Sequence, residues 1–275
     1  GMFITFFLIL HYLPNDMTFT SAMHIAGAND KMNIVNFSFD PEEKYTFWSG
    51  ITGGFFLALA YFGTDQSQVG RYLSGRSVKE SQMGLIMNGL LKVPMQFFIL
   101  LTGVMVFVFF QFNPVPLNFN PNNKAMIEKS AFKGEYNDLE KKLEDLSEDK
   151  KVINLLYIDQ LNQDYDNPTL RKELVTLSNK EKDLRDRAKE MILKADSNSE
   201  TNDKDYVFFH FILNYLPKGL IGLLLAVIIS AAMSSTASGL NALASTTAID
   251  IYKRNLKEEK SEKHYVNATK YFTLL

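Results

Sequence analysis

Apolar and polar positions along this chain fall in long blocks rather than interleaving. Residues 47–64 are an apolar run interrupted by Gly50, Gly53 and Gly54. Residues 84–112 form a longer one, broken by a single charge, Lys92, close to Pro94. Residues 216–254 open on a Pro-Lys-Gly turn, stay apolar through Ile229, and become a band of small and hydroxylated residues from Ser230 to Gly239. They end on the charged edge Asp250, Lys253 and Arg254. Runs of about 18–29 such residues predict membrane helices. The glycines of 47–64 predict a kink or close packing, and tilt or a kink at Pro94 would absorb the excess length of 84–112. Residues 2–13 are too short to span and read as the outer half of a truncated membrane helix, ended by Pro14-Asn15-Asp16. A further apolar run at 268–275 makes the chain read as a fragment bounded near Gly1 and Leu275.

Between these blocks lies a different pattern. Phe132, Tyr136, Leu139, Leu143, Leu146, Ile153 and Tyr157 recur at helical 4-3 spacing, interrupted only by Lys150. Leu170, Leu174, Leu177, Leu184, Ala188, Met191 and Ala195 repeat the rhythm, interrupted only by Glu181. With Asn167-Pro168 between them, they predict two amphipathic helices folded into an antiparallel hairpin, each arm on the order of 40 Å long. Such a hairpin serves either as a solvated spacer or lid, or as an arm for a partner bound over residues 130–196. Residues 14–45 read as a loop with polar turns, 65–83 as a polar basic loop, and 205–216 as a short aromatic segment at the membrane interface.

Charge sharpens the division. Of 29 basic and 31 acidic side chains, 36 fall in residues 115–205. That segregation marks a membrane protein with a large aqueous insertion. Among short loops, Arg71, Arg76 and Lys79 in 65–83 and Lys253, Arg254, Lys257, Lys260 and Lys263 in 251–267 outnumber Lys31 and Lys44 in 14–45. The positive-inside rule therefore orients 65–83 and 251–267 to the cytoplasm, leaving 14–45 and 113–205 outside. A net charge of −2 argues against nucleic acid as a partner, and zero cysteines exclude disulfides and thiolate metal sites. Four histidines without motif spacing, no nucleophile–base set and no glycine-rich phosphate loop leave an enzyme without support.

Three features stand out against the apolar background. Ser234 and Ser235, with Ala231 one turn earlier, offer hard oxygen ligands suited to an alkali cation if the helix releases the Ala231 carbonyl. Ala231, Ser235 and Gly239 equally form a small-residue ridge for helix packing. Lys92 must snorkel, pair or face a wet cavity. Tyr61-Phe62-Gly63-Thr64-Asp65-Gln66 is either an interfacial aromatic belt or an aromatic gate over a solute site.

Residues 60–75 (AYFGTDQSQVGRYLSG) and 216–254 (LPKGLIGLLLAVIISAAMSSTASGLNALASTTAIDIYKR) together resemble the sodium/solute symporter family. Its members include sodium-coupled sugar, proline, pantothenate and sialic acid transporters. The resemblance covers 1–112 and 206–275 and leaves the hairpin outside. It implies an all-α, inverted-repeat fold of polytopic membrane helices with sites at broken helices near the bilayer midplane. It implies a sodium site at Ala231 (backbone carbonyl), Ser234 and Ser235, with the remaining ligands upstream of this chain. An inner aromatic gate would fall on Tyr61 and Phe62, and a substrate-side lysine on Lys92. Ala58 stands where sugar transporters carry a sugar-binding asparagine, and Gly70 where the family usually has glutamine.

The function expected is sodium-coupled symport of a small organic solute across a bacterial plasma membrane, with sodium and the lipid bilayer as partners. The alternative is a transporter-like membrane sensor domain of a signalling protein such as a histidine kinase. The expected organisation is membrane helices in 1–112, the insertion in 113–205, and an interfacial segment, sodium-site helix and start of a truncated helix in 206–275.

Overall fold

The computed structural model describes residues 2–32, 35–40, 46–73, 75–256 and 258–274. Lys44 and Lys257, which enter the charge bias, lie outside the described residues, as do the chain ends Gly1 and Leu275. Among the described residues every regular element is helical. The helices are α1 (Met2–Tyr12), α2 (Phe19–Ala28), α3 (Phe47–Leu59), α4 (Gln66–Leu73), α5 (Val78–Phe109) and α6 (Pro121–Ile127). After them come α7 (Lys133–Asn162), α8 (Pro168–Ala195), α9 (Lys204–Tyr215), α10 (Lys218–Thr246) and α11 (Glu262–Leu274). Two π-helical turns, Ala60–Thr64 and Thr247–Lys253, follow α3 and α10.

Two of these helices are long and apolar enough to cross a membrane, Val78–Phe109 and Lys218–Lys253, the latter including its π turn. The apolar stretch of the second is not buried at all, and Leu225, Val227, Ile228 and Ile229 stand exposed along it. A helix in the core of a soluble protein would hide such a surface; this one requires hydrocarbon or other helices around it.

The chain forms two compact units, and neither coincides with the hydropathy blocks. Gly1–Ile34 with Gln96–Ile221 make one; Val35–Met95 with Gly222–Leu275 make the other. Hydropathy reports the solvent a segment prefers, whereas these units report which segments pack.

In the first unit α7 and α8 pack along each other. Asn167 caps α8 by accepting from the Thr169 and Leu170 amides, and Pro168 begins the helix where its missing N–H is harmless. Tyr136, Leu139 and Leu143 of α7 bury against Ala188, Met191 and Ile192 of α8, with Leu117 and Ile127 closing the end. The two seam-breaking charges meet: Lys150 Nζ lies 3.0 Å from Glu181 Oε2, and Arg185 bonds the same carboxylate at 3.0 Å. Burial would raise the Glu181 carboxyl, but the charges of Lys150 and Arg185 outweigh it and hold the group below its ordinary range.

Residues 14–45 are more than a loop. Thr18 accepts from the Ser21 amide and starts α2, whose Ala22, Ile25, Ala26 and Ala28 are buried. Helix α2 packs on both arms of the hairpin, with Ser178 donating to Asn29 at 2.6 Å and Asn162 donating to the Asp16 carbonyl at 3.1 Å. The hairpin is therefore clamped near its turn. The signal was weak because small residues bury a helix face without a strong apolar rhythm. Nearer the membrane segments, Phe3 of α1 stacks on Phe98 of α5 at 4.4 Å and Phe6 meets the same ring at a tilt. Phe109, Phe110, Phe211 and Tyr215 join the end of α5 to α9.

In the second unit, Thr46 and Ser49 form a reciprocal capping box that starts α3. Gly50, Gly53 and Gly54 lie inside α3 with open space around them. The backbone irregularity comes later, at Ala60–Thr64. Pro94 sits within α5 without ending it, and α5 begins at Val78, inside the stretch read as a loop. Helix α11 folds back on the second π turn, where Tyr252 stacks on His264 and their Oη and Nε2 lie 3.1 Å apart.

Candidate functional site

The π turn governs the aromatic motif. The Asp65 amide bonds the Ala60 carbonyl at 2.9 Å, one residue wider than α-helical pairing, and Thr64 Oγ1 donates to the same carbonyl at 3.1 Å. π turns reset the direction of the side chains that follow and recur at functional sites. Asp65 then starts α4 by accepting from the Ser67 hydroxyl at 2.7 Å and the Ser67 amide at 2.9 Å. The bond from the Ser67 hydroxyl is the main reason the Asp65 carboxyl stays below its ordinary value.

This geometry brings Tyr61, Phe62 and Lys92 together. Lys92 Nζ lies 5.2 Å from the Tyr61 ring centroid, a cation–π contact. Phe62 meets Tyr61 edge-on at 5.0 Å and stacks on Tyr72 of α4 at 6.0 Å. Burial and the neighbouring Tyr61 phenol raise the Tyr72 pKa, and the Asn88 side chain opposes the rise. Asn88 precedes Lys92 by one turn of α5, so both sit on one helix face. Sequence reading missed Tyr72 and Asn88, although the i, i+4 spacing of Asn88 and Lys92 was available as a signal.

Ala231, Ser234 and Ser235 lie apart from that cluster, on α10. The helix keeps α geometry through Ala231, and the widening of the rod falls at Thr247–Lys253 instead. Both serine side chains are exposed. Helical serine hydroxyls commonly donate to the carbonyl four residues earlier on their own helix, as Ser238 does to the Ser234 carbonyl at 3.0 Å and Ser245 to the Asn241 carbonyl at 2.8 Å. Ser234 Oγ and Ser235 Oγ make no such bond among the described residues. Two adjacent hydroxyl oxygens are left as acceptors, the donor set an alkali cation prefers. Among the described residues no three His, Asp or Glu side chains converge as a metal site, and hydroxyl ligation needs none.

An exposed apolar rod carrying uncommitted hydroxyls and, on another long helix, a lysine held over an aromatic ring are features of a helical membrane protein with polar sites set on its long helices. Residues 192–275, which contain all of α10, match the model of the sodium:solute symporter family. The human sodium/iodide cotransporter is 34% identical over 64 residues, 23% of this chain and 10% of that protein. Mouse sodium-coupled monocarboxylate transporter 2 is 33% identical over 70 residues, 26% of this chain and 11% of that protein. Human sodium-coupled monocarboxylate transporter 1 is 38% identical over 58 residues, 21% of this chain and 10% of that protein. The match thus spans about a tenth of the length of these curated relatives. No solved structure matches the chain.

Proposed function

We propose that this chain is part of a sodium-coupled symporter, with sodium as co-transported cargo held by the Ser234 and Ser235 hydroxyls, the Ala231 carbonyl adding only the lone pair that its helical bond leaves free. The observation that carries the reading is the pair of hydroxyls left unbonded on α10, inside the stretch that matches the family. Sodium binding would favour the solute-binding state, a coupling between two sites that involves no bond chemistry.

The solute reading is a small organic carboxylate. Relatives named for monocarboxylate transport support it. So does Lys92, an ammonium beside the aromatic pair, whereas Ala58 offers nothing to a sugar hydroxyl. Tyr61 and Phe62 would then close over the solute. The membrane is read as the plasma membrane of a bacterium, with 14–45 and the hairpin insertion of 113–205 outside and 65–83 and 251–267 cytoplasmic. The inverted-repeat arrangement belongs to the same reading.

The test is uptake by the full-length protein in vesicles under a sodium gradient, across monocarboxylates, sugars and amino acids. Monocarboxylate uptake should require sodium, and Ser234→Ala or Ser235→Ala should raise the half-saturating sodium concentration about tenfold, the effect of losing roughly 1.4 kcal/mol. Unchanged sodium dependence in both variants would remove the site. Uptake of sugars alone would remove the carboxylate.

A further inference from the structure

Ser238 lies one turn beyond Ser234 on α10, and its hydroxyl is engaged from two sides. It donates to the Ser234 carbonyl at 3.0 Å and accepts from Arg71 Nη2 at 2.5 Å. Arg71 belongs to α4 and is followed by Tyr72, which stacks on Phe62 at 6.0 Å. Consecutive residues on a helix point about 100° apart, so one short helix touches two sites at once. Through Arg71 it touches the turn of α10 that carries Ser234 and Ser235; through Tyr72 it touches the aromatic pair.

We propose that Arg71 is a positioning residue that competes with sodium for this turn of α10, so that sodium occupancy controls the attachment of α4 and, with it, the Tyr61–Phe62 pair. The proposal rests on the sodium reading of Ser234 and Ser235. A guanidinium is charged at every accessible pH. By helix geometry its charge lies roughly 8 Å from the serine hydroxyls, where repulsion weakens cation binding several-fold even with solvent screening. Its bond to Ser238 also polarises that hydroxyl toward the Ser234 carbonyl, drawing on an oxygen next to the site. Linkage makes the effect reciprocal: the factor by which Arg71 weakens sodium is the factor by which sodium weakens the Arg71–Ser238 bond. Sodium arrival releases α4 from α10, and sodium departure restores the bond.

The experiment measures sodium activation of uptake by the full-length protein, with choline replacing sodium. Arg71→Gln and Ser238→Ala should each lower the half-saturating sodium concentration about fivefold while reducing the maximal rate, because release is impaired. Arg71→Lys, which keeps the charge, should retain most of the wild-type sodium requirement. The double variant should show little beyond either single one, as expected of two residues in one interaction. Variants that do not transport are read by the sodium-dependent rise in Tm of the purified protein, which should occur at lower sodium than in wild type. A purely structural role would cut the maximal rate and leave the sodium requirement unchanged or raised; that result in both single variants overturns the proposal. If Ser234→Ala raises the sodium requirement while Arg71→Gln and Ser238→Ala do not lower it, only this proposal falls. If Ser234→Ala and Ser235→Ala both leave sodium dependence unaltered, the sodium site and this proposal fall together.

Discussion

Lys150 and Glu181, each the one charged residue in an otherwise apolar helical seam, face each other across the α7–α8 hairpin at 3.0 Å. The Lys150 side chain is only 5% exposed and that of Glu181 23%. Each interruption in the rhythm is answered by the other across the hairpin.

Breaking the pair should cost more than replacing it. Glu181→Gln leaves a buried ammonium uncompensated and should destabilise the hairpin by about 2–4 kcal/mol, below the range for fully buried pairs because Glu181 keeps some exposure. Lys150→Met with Glu181→Leu should recover most of that loss. Hydrogen exchange of the α7 and α8 amides in the membrane-reconstituted protein measures both.

Acid should loosen the same region. The Glu181 carboxyl is held below its ordinary 4.5 in the folded protein. Its stabilising contribution is therefore complete above pH 4.5 and is lost as pH falls through the lowered folded value. Exchange protection of α8 around Glu181 should decline over that acid window in the wild type, and much less in the Lys150→Met, Glu181→Leu variant.

Asn154 on α7 is fully buried, and neither its Oδ1 nor its Nδ2 has a hydrogen-bond partner among the described residues. Burying an unsatisfied amide costs about 1–3 kcal/mol. Asn154→Leu should therefore raise hairpin stability by about 1–2 kcal/mol. A loss of stability on thermal unfolding would mean that the amide is engaged in the folded protein.

On the proposed reading the contact of Lys92 with Tyr61 serves solute binding rather than sodium binding. Tyr61→Leu removes a cation–π contact of about 0.5–1 kcal/mol and should raise the solute KM by roughly two- to fivefold. The half-saturating sodium concentration should stay near wild type. Uptake measured against both solute and sodium distinguishes the two effects.

Much of the fold was legible in the chain because two periodicities carry it. The long apolar runs marked α5 and α10, and the 4-3 rhythm marked α7 and α8, with Asn167-Pro168 at the turn. Helix α2 and the early start of α5 were not legible, since small or mixed residues bury a face only when a neighbour supplies the rest. Of the candidate site, Tyr61, Phe62, Lys92, Ser234 and Ser235 could be named from residue type and setting. Arg71 and Ser238 could not, because a hydrogen bond between residues 71 and 238 has no signature in local spacing.

Residue type and order alone determined which segments favour hydrocarbon, which favour water, and which hydroxyls fall within an otherwise apolar run. Transfer free energy acts on each side chain separately and can be summed along a sequence. Tertiary structure alone decided that Lys150 answers Glu181, that Lys92 sits over Tyr61, and that α4 joins the aromatic pair to the serine turn of α10. Those are pairwise contacts between distant segments, and their energies exist only once the backbone has brought the partners within a few ångströms.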